Sequence, residues 1–88
     1  MMVVKQKNTC GRQVKMARAG KNMSQVDLAA AIAVDLGVDM NQHAVSRIER
    51  GTRFVKDFEL LVLSKALDVH PMWLMFGDDV PREYRDSP

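Results

Sequence analysis

The chain of 88 residues contains a single cysteine, Cys10. One thiol cannot close an internal disulfide, so the sequence predicts a protein of the reducing cytoplasm rather than a stapled secreted domain. No apolar run approaches the ~20 residues that span a bilayer. The start MMVVKQKNTCGRQ also lacks the apolar core of a signal peptide. The expectation is a soluble, cytoplasmic chain without a membrane partner. No internal repeat is present, and no alternating apolar and polar stretch marks a strand. A phosphate-cradling glycine loop is missing, and one Cys with two His, His43 and His70, matches no zinc spacing. Neither a metal nor another cofactor is therefore expected. Cys10 paired with either His is the one arrangement that resembles a nucleophile and base, but nothing in its neighbourhood lowers a thiol pKa, and no catalytic residue or enzyme activity is read.

Acid is missing from the first 26 residues, which carry Lys5, Lys7, Arg12, Lys15, Arg18 and Lys21. Residues 27–40 then contribute −3, residues 41–56 contribute +3, and the remainder −4, so a formal net charge of +2 hides a basic N-terminal half and an acidic end. Such a distribution favours a one-sided positive surface, although mixed charges also simply solvate small domains. Hydrophobic content of 47% against 27% charged residues is that of a globular chain, and this length suits one domain with one modest core.

The chain is organised around NQHAVSRIERG, residues 41–51. Asn41 suits a helix N-cap and Gly51 the left-handed residue that ends one. Between them Ala44, Val45 and Ile48 form a narrow apolar stripe, while His43, Ser46, Arg47 and Arg50 fall at i, i+3, i+4 and i+7 on the opposite side. That side has two guanidinium groups and no carboxylate, because Glu49 lies towards Val45. It suits the edges of a polyanion.

Before this stretch, residues 1–10 lack a period and read as a mobile arm. A first helix is predicted over 11–19, with Val14, Ala17 and Met16 inward, broken by Gly20-Lys21-Asn22. Ser24 with Asp27 forms a capping-box pattern opening a second helix whose apolar face is Val26, Leu28, Ala29, Ile32 and Ala33. After residue 51, Thr52–Lys56 form a basic loop, and Asp57 is the expected N-cap of a fourth helix through Leu67, apolar on more than one side through Phe58, Leu61, Val62 and their neighbours. His70 or Asp68 with Pro71 starts a fifth element carrying Trp73, Leu74 and Phe76. Residues 78–88 read as a polar tail. Five helices without strands define an all-α domain over 11–77.

Several of these pieces, in this order, resemble the helix-turn-helix domains of the Cro and phage-repressor type. They are Arg18, Met23-Ser24-Gln25 with Leu28-Ala29, Val45-Ser46-Arg47-Ile48-Glu49-Arg50-Gly51, Ala66-Leu67-Asp68-Val69 and Trp73-Leu74-Met75-Phe76-Gly77. The resemblance runs from Gly11 to Gly77 and implies a compact, lambda-repressor-like five-helix fold. One departure stands out: Ile32 to Asn41 exceeds the family's short turn by roughly six positions. Val34, Asp35 and Leu36 are expected to lengthen the second helix, Gly37 to cap it, and Val38–Met40 to link it to the third.

The resemblance implies that Gln42, His43, Ser46 and Arg47 read base edges. Gln can pair bidentately with adenine and Arg with guanine, while His and Ser serve as single donors or acceptors. It also implies phosphate contacts from Gln25 at the start of the second helix, and Lys21, Asn41, Arg50, Arg53 and Lys56, in the turns flanking the second and third helices, can add more. Arg18 and Glu49 align with a structural ion pair. The implied function is a sequence-specific DNA-binding transcriptional regulator, a repressor that places two copies on a palindromic operator in double-stranded DNA. A homodimer is expected through the apolar C-terminal third. The alternative is an interaction module that grips another protein, such as the antitoxin of a toxin pair or a regulatory subunit.

Overall fold

The five longer helices of this chain each begin where a side chain accepts from backbone N–H groups that the helix itself leaves unpaired. In the computed structural model, which describes residues 6–85, the elements are α1 (Gly11–Gly20), α2 (Gln25–Leu36), α3 (Gln42–Glu49), α4 (Asp57–Leu67), α5 (Pro71–Phe76) and α6 (Arg82–Arg85). Among the described residues there is no strand. The short α6 lies in the segment expected to be a polar tail, and Phe76 stacks on its Tyr84 with ring centroids 6.0 Å apart.

Ser24 Oγ accepts from Asp27 N and Asp27 Oδ2 from Ser24 N, both at 2.9 Å, so α2 opens on a reciprocal capping box. Its far end is Gly37 in the left-handed region at φ 65°. The residues inserted between the second and third helices are thus absorbed by a longer α2 and a short link. Met40 returns to the core at 2% exposure and anchors that link, which is why the extra length does not displace α3. The α5 helix starts on His70, whose Nδ1 accepts from Met72 N at 3.1 Å, with Pro71 in the first helical position.

Residues 6–10 depart from the expected arm, of which residues 1–5 lie outside the described residues. Asn8 Oδ1 accepts from Cys10 N and Gly11 N at 3.1 and 2.8 Å, and Cys10 is buried. The segment is fixed because the Asn8 side chain, two residues before the N-cap Cys10, accepts from the first N–H groups of α1. In α1 only Gly11 and Val14 are buried, whereas Met16, expected inward, faces solvent. Val26 of α2 is likewise exposed, and Leu28 with Ile32 carries the inner face.

The core joins Val14, Leu28, Ile32, Val45, Ile48, Leu63, Leu67 and Leu74, drawing on all five longer helices. Helix α4 packs on α1, α2 and α5, yet Phe58 and Leu61 remain about half exposed, so its apolar excess is not all used internally. Its N-cap is Lys56 and not Asp57, which occupies the first helical position. Glu59 displaces Asp57 from that task because its carboxylate reaches Lys56 N at 3.0 Å while also receiving Arg53 Nη1 and Nη2 at 3.0 Å each.

The Arg53 fork holds the Glu59 carboxyl below the usual carboxylate range, helped by Lys56 N and opposed by burial. The unfolded chain titrates this group near ~4.3. Its contribution is complete above that pH and is lost as pH falls through the lower folded value. Glu59→Gln is expected to cost about 1–3 kcal/mol at pH 7 and to flatten the acid limb of the stability curve. Urea unfolding between pH 7 and 3 checks this, and an acid limb as steep as that of the wild type would contradict it.

Candidate nucleic-acid interface

Asn41 Oδ1 accepts from Ala44 N at 2.9 Å and starts α3 at Gln42. Its end is set by Gly51 at φ 75°, with Gly51 N donating to Ile48 O and Thr52 N to Arg47 O. Between these stops Ala44, Val45 and Ile48 are buried, which forces His43 and Arg47 outward into solvent and leaves Ser46 and Gln42 at the margin. Arg50 is exposed just beyond the helix.

The inner edge of this face is fixed by a chain of hydrogen bonds. Gln42 Nε2 donates to Gln25 Oε1 at 2.7 Å, and Gln25 Nε2 donates to Glu49 Oε1 at 3.0 Å. Arg18 Nε donates to Glu49 Oε2 at 2.7 Å and Arg18 Nη2 to Glu49 Oε1 at 3.1 Å. Arg18 Nη1 donates to Met23 O at 2.7 Å in the turn before α2. The pair is well shielded, with side-chain exposures of 14% and 4%, and the Glu49 carboxylate raises the Arg18 pKa further above its ordinary value. The start of α2, both ends of α3 and the end of α1 are thereby joined.

The sequence treats Gln25 as a phosphate ligand and Gln42 as a base reader without connecting them. In the structure Gln25 accepts from Gln42 and donates one amide proton to Glu49, a bridge that ties Gln42 to the start of α2. Gln42 uses one amide proton on Gln25 and has a second on the same nitrogen, so the donor and acceptor pair that matches adenine remains. Lys21 and Lys56 are exposed near the turns that flank α2 and α3, and Asn41, also exposed, combines that position with its cap. Arg53 is drawn away. Its guanidinium is committed to Glu59 and to Phe54 O, a partnership hidden from the sequence because Asp57 competes with Glu59 as the acid next to the loop. Asn8, missed at sequence level, carries the cap signal of an Asn three residues before Gly11.

Burial pushes the Cys10 thiol pKa up, opposite to the direction that activates a nucleophile. Among the described residues no group of three His, Cys, Asp or Glu side chains is placed to hold a metal ion. No helix of the described residues is long and apolar enough to cross a membrane.

A basic, outward-facing third helix locked against the second by their own side chains defines a helix-turn-helix DNA-binding domain. No family model matches the chain. It is 38% identical over 71 residues to the HTH-type transcriptional regulator y4aM of Sinorhizobium fredii, a match covering 81% of this chain and 44% of that protein. The chain therefore spans less than half the length of this curated relative. The restriction-modification controller protein C.AhdI from Aeromonas hydrophila superposes with a TM-score of 0.62 at 33% identity, covering 73% of this chain and 84% of that one. The P22 c2 repressor, in complex with a synthetic operator, gives a TM-score of 0.66 at 30% identity over 81% of this chain and 98% of that one. This chain belongs to the Cro and phage-repressor type of helix-turn-helix transcription regulators.

Removing either partner of the Arg18–Glu49 pair leaves a shielded charge unpaired. Glu49→Gln and Arg18→Met are each expected to cost about 2–4 kcal/mol, somewhat below the loss for a fully buried pair. Thermal melts of the two single variants and the double variant provide the check; unchanged midpoints would show that the pair carries no stability.

Proposed function

We propose that this chain is a sequence-specific transcriptional repressor that binds a palindromic operator as a homodimer, with α3 of each copy in the major groove. The observation that carries this reading is the outer face of α3, where His43, Ser46 and Arg47 stand beside a Gln42 held in place by Gln25. Phosphates are assigned to Lys21, Asn41, Arg50 and Lys56, with the N-terminus of α2 adding its dipole. Arg53 leaves this set because Glu59 occupies its fork.

The second copy is assigned to the exposed Phe58 and Leu61, one turn apart on α4, at 50% and 52% exposure, with the exposed Phe54 in the loop before that helix. Expected over the C-terminal third, the apolar surplus is found here, since Leu63, Leu67 and Leu74 are buried. Two half-sites would then lie about one helical turn, ~34 Å, apart. The same patch would serve a different protein partner if the chain were an interaction module, and solution assembly separates the two readings. Sedimentation at high micromolar concentration should give a dimer that Phe58→Asp dissociates. A monomer with and without DNA would exclude it.

Selection from random duplexes should enrich a palindrome, and binding of variants to enriched and scrambled duplexes across a salt series then tests the division of work. Arg47→Ala should lose about 1–3 kcal/mol on the enriched duplex and relax preference at one base position. Lys56→Ala should weaken both duplexes alike and lower the salt slope by about one unit, because a phosphate contact releases counterions without reading a base. Equal losses on both duplexes for Arg47→Ala would mean that α3 does not read sequence.

A further inference from the structure

We infer that Asn8 is a positioning residue for the reading helix: the amide that starts α1 also fixes where α3 ends and where the basic loop behind it lies. Asn8 Nδ2 donates to Ile48 O at 3.1 Å and to Arg53 O at 2.9 Å, while Oδ1 accepts from Cys10 N and Gly11 N. One side chain thus joins residues 40 and 45 positions away to its own helix start. Lys7 N adds a third tie, donating to Gly51 O at 2.8 Å, and Lys7 Nζ lies 5.4 Å from the centroid of the Phe54 ring.

The three carbonyls held in this way, those of Ile48, Gly51 and Arg53, bracket the left-handed turn at Gly51. The turn supports Arg50 and leads to Lys56. Carbonyls at a helix C-terminus have no partner within the helix, so whatever donates to them determines how the chain leaves it. The two backbones also meet closely. A Cβ at Gly11 would collide with Ile48 O, so glycine is required for the approach that brings Asn8 within reach. Only an amide combines the needed chemistry, with an oxygen for two N–H groups and a nitrogen with two protons for two carbonyls. Aspartate keeps the first half and loses the second.

This inference rests on the DNA-reading function proposed above and adds a residue remote from the reading face. Asn8→Asp retains an acceptor for Cys10 N and Gly11 N but has no donor for Ile48 O or Arg53 O; Asn8→Ser provides a shorter, uncharged acceptor in case the carboxylate prevents folding. Leu67→Val, a truncation in the core of α4, controls for lost stability. Discrimination between the enriched and a scrambled duplex is measured well below every unfolding midpoint, with amide hydrogen exchange at Gly51 and Thr52 followed in the free protein. The Asn8 variants should lose about tenfold in discrimination, the worth of one base contact, and exchange faster at both amides, while Leu67→Val changes neither. A carboxylate that merely repels phosphates would weaken both duplexes equally and leave their ratio intact. Unchanged discrimination and exchange in the Asn8 variants would overturn the inference while leaving DNA reading in place. A wild-type chain that discriminates no duplex would overturn DNA reading, and exchange at Gly51 and Thr52 would then decide the positioning role alone.

Discussion

Glu49 contributes the only carboxylate between Asn41 and Lys56, and the structure encloses it with three donated N–H groups, two from Arg18 and one from Gln25. An ion pair taken out of water adds little net stability over an apolar pair of similar volume. What it adds here is direction. The planar Arg18 fork can satisfy Glu49 and Met23 O together in one orientation, so the end of α1, the turn before α2 and the end of α3 share one register. Gln25 extends that register to Gln42 at the opposite end of α3. A helix of eight residues has little capacity to hold itself straight or in place, and this one is tied near both ends.

A second guanidinium–carboxylate pair, Arg53 with Glu59, closes the loop between α3 and α4. Together the two pairs change the meaning of the basic charge carried before Asp57. Positive charge along the sequence is not the same as positive charge offered to a ligand, since Arg18 and Arg53 are consumed internally. The remaining bases around α3, with the exposed Arg47 and Arg50 foremost, form a smaller footprint than composition suggests. Their neighbours are polar groups whose positions are already set, which favours contacts made without reordering side chains.

Much of the fold was legible because its signals are local. Ser24 with Asp27, Asn41, Gly37, Gly51 and His70-Pro71 act on backbone groups within a few residues, and each marks a helix end in the structure. Patterns lacking a local partner were less legible. Asn8 reads as part of a featureless segment because two of its partners lie 40 and 45 residues on. Helix α4 is apolar on several sides, so periodicity alone could not show that Leu63 and Leu67 face inward while Phe58 and Leu61 do not. Asp57 and Glu59 both satisfy the composition of a helix start, and only the position of Arg53 decides between them. At the interface, the residue types on α3 were readable from spacing, whereas the link from Gln42 through Gln25 to Glu49 depends on how two helices cross.

The lengthened α2 and its link run between two buried pegs, Ile32 and Met40. Everything between those pegs is partly or fully exposed, and Val34 at 82% is the most exposed of the large apolar side chains. The register of α3 is held elsewhere, by Glu49, Asn41 and the turn at Gly51, so this overhang is mechanically decoupled from the surface beside it. It is a natural splice point: an epitope or a fluorescent label grafted after Gly37 would ride within a few residues of α3 and report on what that helix meets.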